Sequence, residues 1–101
     1  MKNIISLVLF CTINISFAQI KFEGIVKDSI GTPLELANVV AINQETKALD
    51  SYGITNSDGR FKLSLEKNST YSIQVSYIGM KSLAELVSTT DKNIDKNFTL
   101  Y

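Results

Sequence analysis

The stretch GITNSDGRFKLSLEKNSTYSIQVSYIGMK, residues 53–81, decides the fold of this chain. Within it, apolar side chains alternate with polar ones in two runs, which are Phe61, Leu63 and Leu65, then Tyr71, Ile73, Val75 and Tyr77. Alternation with a period of two places each apolar set on one face of a β-strand and the polar set on the other. The stretch therefore predicts two amphipathic strands joined by a polar connection, with a core that includes Phe61, Leu63, Ile73, Val75 and Tyr77.

A tight turn is predicted just before these strands, at Asn56-Ser57-Asp58-Gly59. Asp-Gly between alternating strands is typical of a hairpin turn, since glycine accepts the positive φ that such turns need. The same residues partly match a calcium-binding loop, but its first and last ligand positions would fall on Ile54 and Leu65, which cannot coordinate a cation. We therefore predict a structural hairpin turn at Asp58 and Gly59.

Three further strands are predicted on the N-terminal side. The first is IKFEGIVKD, residues 20–28, and the turn after it uses Gly31 and Pro33 for its special backbone angles. The second, LANVVAI at residues 36–42, is apolar almost throughout, which predicts a central strand buried on both faces. The third spans residues 49–55 and is weakened by an internal glycine.

Two more strands are predicted on the C-terminal side, after a turn at Gly79. SLAELV, residues 82–87, fits a strand, although in isolation it also fits a turn of helix. Residues 94–101 form the last strand, with Phe98 and Leu100 on one face. The total is about seven short strands separated by turn residues, which predicts an all-β sandwich.

Composition excludes several classes of function. The chain has 10 basic and 10 acidic residues, so it lacks the basic excess of proteins that bind nucleic acid or a membrane surface. It has no histidine and one cysteine, Cys11, which removes the commonest metal ligand and general base. Its serines therefore lack a conventional base for nucleophilic catalysis. The sequence predicts no catalytic, metal-binding or cofactor-binding set.

Residues 1–18 have the features of a secretory signal peptide. Lys2 precedes a short apolar run, and Ser16-Phe17-Ala18 places small residues before a cleavage site. The apolar run is short for a membrane span. Cleavage would release residues 19–101 as an exported domain without a membrane-inserted segment, and would remove Cys11 with the signal.

Two tyrosines, Tyr52 and Tyr101, lie outside the alternating runs and are predicted to be exposed. Exposed aromatic rings can stack on a sugar, so these two are the candidate contacts for a glycan. The aromatic residues at strand spacing are interpreted as core.

Three blocks of the sequence together resemble a known family. They are FEGIVKDSIGTPLELANVVAI at residues 22–42, GITNSDGRFKL at residues 53–63 and YSIQVSYIGMK at residues 71–81. They look like the carboxypeptidase-regulatory-like domain, in which the same blocks occur in the same order. The resemblance implies a seven-stranded Greek-key sandwich of the prealbumin (transthyretin-like) type, whose characteristic residues are structural. One departure is Glu35-Leu36, where the family more often has a glycine.

The block VSYIGMK, residues 75–81, is especially similar to domains of Bacteroidetes-type bacteria. There the domain follows the signal peptide of a TonB-dependent outer-membrane receptor, as a periplasmic extension ahead of plug and barrel. The resemblance implies a non-catalytic domain in the periplasm or at the outer membrane, associated with nutrient uptake. Its partners would be the receptor plug and barrel or other envelope proteins. The sequence leaves open whether the domain stands alone or begins a longer receptor.

The leading hypothesis is therefore an interaction domain that acts through an exposed sheet edge or through loops at one end of the sandwich. Two alternatives stay open. One is a carbohydrate-binding module that uses the exposed tyrosines, and the other is a regulatory domain beside a peptidase.

Overall fold

Two β-sheets packed face to face make up the fold, seen in a computed structural model that describes residues 19–101. The strands are β1 (Gln19–Asp28), β2 (Asn38–Asn43), β3 (Leu49–Ile54), β4 (Arg60–Glu66), β5 (Thr70–Ser76), β6 (Leu83–Ser88), β7 (Ile94–Asp95) and β8 (Phe98–Leu100). The prediction of an all-β sandwich is confirmed. The predicted signal peptide, with Cys11, lies outside the described residues.

The two sheets each have four strands. Sheet I has the order β4-β1-β7, and β8 also pairs with β1, beyond β7 along the same strand. Sheet II has the order β3-β2-β5-β6 and is antiparallel throughout. In sheet I, β4 is antiparallel to β1, whereas β7 and β8 are parallel to it. The first and last parts of the described chain therefore lie side by side in sheet I, with β1 at its centre.

The two amphipathic strands of residues 53–81 are β4 and β5, and they lie in opposite sheets. The predicted hairpin before β4 is wrong, because β3 pairs with β2 and β4 pairs with β1. The turn carries the chain from sheet II to sheet I. The chain crosses between the sheets because the last residue of the turn already bonds to β1. The Gly59 carbonyl oxygen accepts a hydrogen bond from Val26 N–H at 2.8 Å. The chain is thus already joined to β1 as it leaves the turn.

The core lies between the sheets and is built from the inward side chains of both. Its members are Ile20, Phe22, Val26, Leu34, Ala37, Val39, Ala41, Phe61, Leu63, Leu65, Tyr71, Ile73, Val75, Phe98 and Leu100. Three phenylalanine rings, Phe22, Phe61 and Phe98, form its aromatic centre with centroids 5.6–6.4 Å apart. Such tilted contacts add roughly 0.5–1.5 kcal/mol per pair to the burial of apolar area.

The second predicted strand differs from the structure in two ways. It begins at Asn38, because Leu36 adopts a left-handed φ of 68° and forms the bend that the family more often makes with glycine. Its central position is correct, but burial on both faces is wrong. Val39 and Ala41 are buried against sheet I, whereas Val40 and Ile42 are half-buried on the outer side, where no described layer covers them.

Two segments on the C-terminal side also differ from one of their predicted forms. SLAELV is a strand, β6, so its helical alternative is wrong. The predicted last strand is divided into β7 and β8 at Lys96 and Asn97, which gives eight described strands. At this break Lys96 N–H donates to Glu23 O at 2.8 Å, and Asn97 Oδ1 accepts from Ile25 N–H at 2.9 Å. These two residues form the bulge between β7 and β8. The bulge is therefore held to β1 by one backbone hydrogen bond and one side-chain hydrogen bond.

Within residues 19–101, none of the secondary structure is a helix long and apolar enough to cross a membrane.

Candidate functional site: the surfaces of sheet II

A polar network closes the end of the sandwich that holds the connection between β2 and β3. A bulge in β3 sets Leu49 opposite Ile42 and Ser51 opposite Ala41, which leaves Asp50 unmatched. The Asp50 carboxylate accepts a hydrogen bond from the Tyr71 hydroxyl at 3.1 Å. The Tyr71 oxygen in turn accepts from Glu66 N–H at 3.1 Å. The network ties β3 to β5 and to the end of β4.

The protonation state of Tyr71 follows from this setting. Burial raises the pKa of the Tyr71 hydroxyl above its ordinary value of 10.0, the hydrogen bond from Glu66 N–H opposes the change, and the neighbouring Asp50 carboxylate adds to it. The hydroxyl is therefore neutral at physiological pH and serves as a donor. Because Tyr71 is fully buried and its hydroxyl is held by both Asp50 and Glu66, we interpret the network as structural.

The opposite end of the sandwich is closed by Thr55. Its hydroxyl donates to Leu34 O at 2.6 Å and accepts from Ala37 N–H at 2.8 Å. The turn that follows is held by Asn56, whose Oδ1 accepts from Asp58 N–H and Arg60 N–H. The side chain that organises the turn is therefore Asn56, whereas Asp58 contributes its backbone.

The other residues predicted to shape turns or the core have the backbone angles or the burial that those roles require. Gly31, Gly59 and Gly79 have φ values of 94°, 74° and 83°, and Pro33 forms a bridge to Lys27. A Cβ at Gly59 would lie 2.7 Å from Val26 O, so close approach adds to the need for glycine there. The predicted core residues Phe61, Leu63, Ile73 and Val75 are buried, and Tyr77 is half-buried at the core margin just beyond β5.

One concavity of about 400 Å³ lies between the edges of β3 and β4. Its lining is Glu23, Gly53, Ile54, Asn56, Arg60, Phe61 and Lys62. The charged groups there belong to the outer face of sheet I, and they include no nucleophile with a neighbouring base. Among residues 19–101, no group of three His, Cys, Asp or Glu side chains is placed to hold a metal ion. The candidate functional surfaces are therefore the faces and edges of the sheets.

The outer faces of the two sheets differ sharply in charge. Sheet I presents charged side chains on β1, β4 and β7, among them Lys21, Glu23, Lys27, Arg60, Lys62 and Asp95. On sheet II the strands present no charged outward side chain. The apolar ones are Val40, Ile42, Leu49, Tyr52, Ile54, Ala84 and Leu86, and the polar ones are Asn38, Thr70, Ser72, Gln74, Ser76 and Ser88. We call this surface the uncharged face.

The uncharged face is richest in large apolar groups on β3 and β2. Leu49, Tyr52 and Ile54 are each more than half exposed. Tyr52 lies beside Val40 in the strand register, and Ile42 lies beside Leu49. On the same face, at the opposite edge of the sheet, Leu86 of β6 is 67% exposed. Exposed apolar groups gathered on one face, with no described layer over them, mark an interaction surface more often than chance.

The two candidate sugar-stacking rings do not share this surface. Tyr52 is on β3, at one edge of sheet II. Tyr101 follows β8, and its carbonyl oxygen accepts from Lys81 N–H at 2.7 Å, with Lys81 Nζ 5.7 Å from the ring centroid. Lys81 precedes β6, which is the other edge of the sheet. Both rings are exposed, but they belong to opposite edges and form no common platform.

Strand β6 is a regular edge strand. It pairs with β5 over six residues without a register shift. Thr89 N–H donates to Ser69 O, which fixes the alternation of hydrogen-bonded pairs along the ladder. Leu83, Glu85 and Val87 therefore bond to β5, whereas the N–H and C=O groups of Ala84, Leu86 and Ser88 point away from the sheet. No described residue pairs with these outward groups.

The neighbouring edges are blocked or irregular. At one end of β4, Asn56 occupies the N–H and C=O of Arg60, and at the other end Tyr71 and Thr89 occupy those of Glu66. Strand β3 carries the bulge at Asp50, and a bulge makes an edge a poor template. Strands β7 and β8 are two and three residues long. Strand β6 is thus the longest regular edge among the described strands with no partner at either end, since β4, one residue longer, is bonded at both of its ends.

Comparison with protein families gives one match that covers most of the chain. The sequence model of the carboxypeptidase regulatory-like domain matches residues 21–101. The chain belongs to the carboxypeptidase regulatory-like domain family. Members of this family are generally non-catalytic β-sandwiches. The resemblance inferred from the three sequence blocks is confirmed, and no curated protein sequence matches the chain.

Solved structures similar to this carboxypeptidase regulatory-like domain share its fold at low sequence identity. The 3-chlorocatechol 1,2-dioxygenase of Rhodococcus opacus 1CP aligns with a TM-score of 0.65 and 13% identity over 84% of this chain and 60% of its own. The catechol 1,2-dioxygenase of Pseudomonas arvilla C-1 aligns with a TM-score of 0.66 and 13% identity, over 88% and 54%. The Bacillus anthracis TIE protein aligns with a TM-score of 0.64 and 16% identity, over 83% and 16%.

The chain therefore spans less than two thirds of the length of these solved proteins. At such identities the likeness shows that the sandwich is a shared architecture and transfers no activity. Sequence reasoning expected an exposed sheet edge without placing it at β6, and it missed the uncharged face. The composition of alternate positions in residues 38–54 carried a signal for the face, but the edge depends on strand order, which no local pattern specifies.

Proposed function

We propose that this carboxypeptidase regulatory-like domain is a non-catalytic interaction module of the cell envelope that binds a partner protein by strand pairing at β6. The observation that carries the proposal is the row of outward N–H and C=O groups on Ala84, Leu86 and Ser88. A partner strand laid along them would extend sheet II by one strand, a common mode of peptide recognition. The side chains of the same residues are exposed beside the edge and would contribute selectivity.

The proposed setting is the bacterial periplasm or outer membrane. The features of residues 1–18 support export, and the VSYIGMK block is similar to domains at the front of TonB-dependent receptors. In this proposal the partner is the receptor plug and barrel, or another envelope protein of a nutrient-uptake system. The domain positions or recruits that partner and carries no reaction of its own. Its strands would follow the seven-stranded Greek-key plan of prealbumin, with β7 and β8 as the divided last strand.

The test uses a variant that changes one outward N–H. Ala84→Pro removes a donor that faces away from β5, so the sheet is kept while the edge can no longer pair at that position. Ala84→Val is the matched control, since it keeps the N–H and suits a strand. Each protein is cross-linked in an envelope fraction of the native host, and the captured proteins are identified by mass spectrometry.

We expect the wild type and Ala84→Val to capture an outer-membrane receptor component. Ala84→Pro should give a yield of that component at least about 10-fold lower, because the strand pairing is interrupted. Capture of no envelope protein above background would count against the setting. Equal capture by Ala84→Pro would count against β6 as the surface.

The carbohydrate alternative is addressed by a separate measurement. Tyr52→Ala and Tyr101→Ala are compared with the wild type on an array of neutral glycans, because a stacking ring is worth several-fold in retention. The positions of Tyr52 and Tyr101 at opposite edges of the sheet favour the interaction module. Regulation of a peptidase would require the partner captured at β6 to be a peptidase.

A further inference from the structure

The side chains of the uncharged face of sheet II are compatible with those of a second copy of the same face. Its polar side chains are amides and hydroxyls, such as Gln74, Ser72 and Asn38, and each of these groups both donates and accepts hydrogen bonds. A lysine or an aspartate cannot pair with its own copy, but a glutamine or a serine can. The apolar side chains beside them need only another apolar surface. Two identical copies of this face therefore contain no group that repels or orphans its counterpart.

The opposite face of the sandwich lacks this property. Sheet I presents charges of both signs on its outer side, among them Lys21, Glu23, Lys62 and Asp95, so two copies placed face to face would have to bury these charges, and like charges would meet wherever opposite signs are not in register. Such contacts cost several kcal/mol. The chain as a whole has a formal net charge of +0, so long-range repulsion does not oppose the approach of two copies. Self-association is thus directed to sheet II.

We infer that the uncharged face binds a second copy of this chain, in a symmetric dimer with the two copies of sheet II packed against each other. Its main apolar contact would come from β3 and β2, through Tyr52, Leu49, Val40 and Ile42. Sheets that pack in this way lie about 10 Å apart with side chains interdigitated. A two-fold axis makes the interface isologous, so it closes at two copies and leads to no fibre.

The size of the face sets the strength of the dimer. Four strands about 4.8 Å apart, with about six residues of 3.3 Å each, cover roughly 400 Å². Two copies together would bury roughly 800 Å², which is below the roughly 1,200–2,000 Å² of stable complexes. The dimer should therefore be reversible, with a dissociation constant of about 10 μM to 1 mM. The inference does not depend on pairing at β6, which uses backbone groups at the edge.

Sedimentation equilibrium of the purified protein tests the inference, at concentrations from about 10 μM to 1 mM. We expect the average mass to rise from monomer toward dimer and to stop there. Because the contact carries no charge, added salt should leave the dimer unchanged or strengthen it, whereas association through sheet I would weaken.

Two charge substitutions place the contact on the face. Tyr52→Lys and Leu86→Lys lie on opposite edge strands of sheet II, and each should weaken the dimer at least about 10-fold, because a like charge then meets its copy or is buried without a partner. Ile30→Lys is the matched control, since Ile30 is 85% exposed in the turn after β1 and outside the face. It should dimerise as the wild type does. Circular dichroism verifies that each variant is folded.

Three results would overturn the inference. The first is a monomer at every concentration. The second is a dimer that both face variants leave intact. The third is binding of a different protein to the face with loss of that binding in Tyr52→Lys, while the chain itself stays monomeric. Tyr52→Lys separates the two surfaces, because Tyr52 lies on β3, away from β6, so the variant should weaken the dimer and leave capture of a partner at β6 unchanged.

Discussion

Gly24 illustrates how a single backbone contact fixes the register of sheet I. A Cβ at this position would overlap the carbonyl oxygen of Lys96 in the bulge between β7 and β8. That contact joins residues far apart in sequence, so the need for glycine is invisible in the local pattern. The sequence block containing Gly24 pointed to the family, but only the structure gives its reason.

Gly24→Ala should therefore destabilise the domain by about 3 kcal/mol or more, because a backbone atom has no other rotamer to adopt. Gly53→Ala is the matched control, since its Cβ would meet the movable Leu63 methyl carbon at 3.1 Å and the Lys62 carbonyl oxygen only at 3.3 Å. We expect a smaller loss there. Urea unfolding of both variants measures the difference, and equal losses would show that the bulge can shift away from β1.

Leu36 is a strained residue that glycine should relieve. Its φ of 68° is unfavourable for a side chain with a Cβ, and the side chain is 69% exposed, so little burial would be lost. After the entropy of the unfolded chain is counted, Leu36→Gly should stabilise the domain by about 0.5–1 kcal/mol. Leu36→Ala, which keeps the strain, should show no such gain in thermal unfolding. A loss of stability in Leu36→Gly would mean that the leucine side chain makes a valuable contact.

Tyr71 links stability to alkaline pH. Its pKa is raised in the folded state, mainly by burial, so the folded protein holds the hydroxyl proton more tightly than the unfolded chain does. The resulting stability is full below about pH 10 and is lost as pH rises through the folded pKa. Tyr71→Phe should lose about 1–2 kcal/mol at neutral pH through its missing hydrogen bonds, and should show a shallower alkaline decline. Denaturant midpoints between neutral and alkaline pH test both statements.

At the scale of elements, alternation predicted the strands well and their partners poorly. β4 and β5 were correct because the alternating runs of residues 61–65 and 71–77 leave no other regular structure. Their placement in opposite sheets was not predictable, since Asp-Gly fits a hairpin and a crossing turn equally well. The outer exposure of Val40 and Ile42 was missed for a related reason. An apolar run looks the same whether its second face meets another layer or solvent.

Residues of β6 alternate between those bonded to β5 and those that point outward, and proline should destabilise the two kinds of position by different amounts. Glu85 N–H bonds to β5, so Glu85→Pro removes a ladder hydrogen bond and should cost about 3 kcal/mol. Ala84 N–H points outward, so Ala84→Pro should cost about 1 kcal/mol or less. Thermal unfolding of the two variants compares neighbouring residues of one strand. The reverse order would mean that the alternation is offset by one residue and that the outward groups are those of Leu83, Glu85 and Val87.

The salt bridge between Glu85 and Lys96 adds little to this account. Its two atoms are 2.8 Å apart, but both side chains are more than a third exposed, so solvent screens the pair. It joins β6 to the bulge of sheet I across the open side of the sandwich. We expect it to orient the edge more than to stabilise the fold.

At the scale of the whole molecule, the domain has a closed side and an open side. Gly53 of β3 lies against Lys62 and Leu63 of β4, which closes one side of the sandwich. On the other side Glu85 of β6 reaches Lys96, which lies between the short strands β7 and β8. The family membership accounts for the scaffold, and the surfaces of sheet II account for what such a scaffold could bind.

The central claim is that β6 is an unpaired edge, and amide hydrogen exchange followed by NMR tests it most directly. In the purified protein, below the concentration at which it dimerises, Leu83, Glu85 and Val87 should exchange about 100-fold more slowly than Ala84, Leu86 and Ser88, because only the first set is hydrogen-bonded to β5. This alternating pattern is the result that the structure predicts. Uniform protection of all six amides would contradict it, since it would show that the outer side of β6 is already paired.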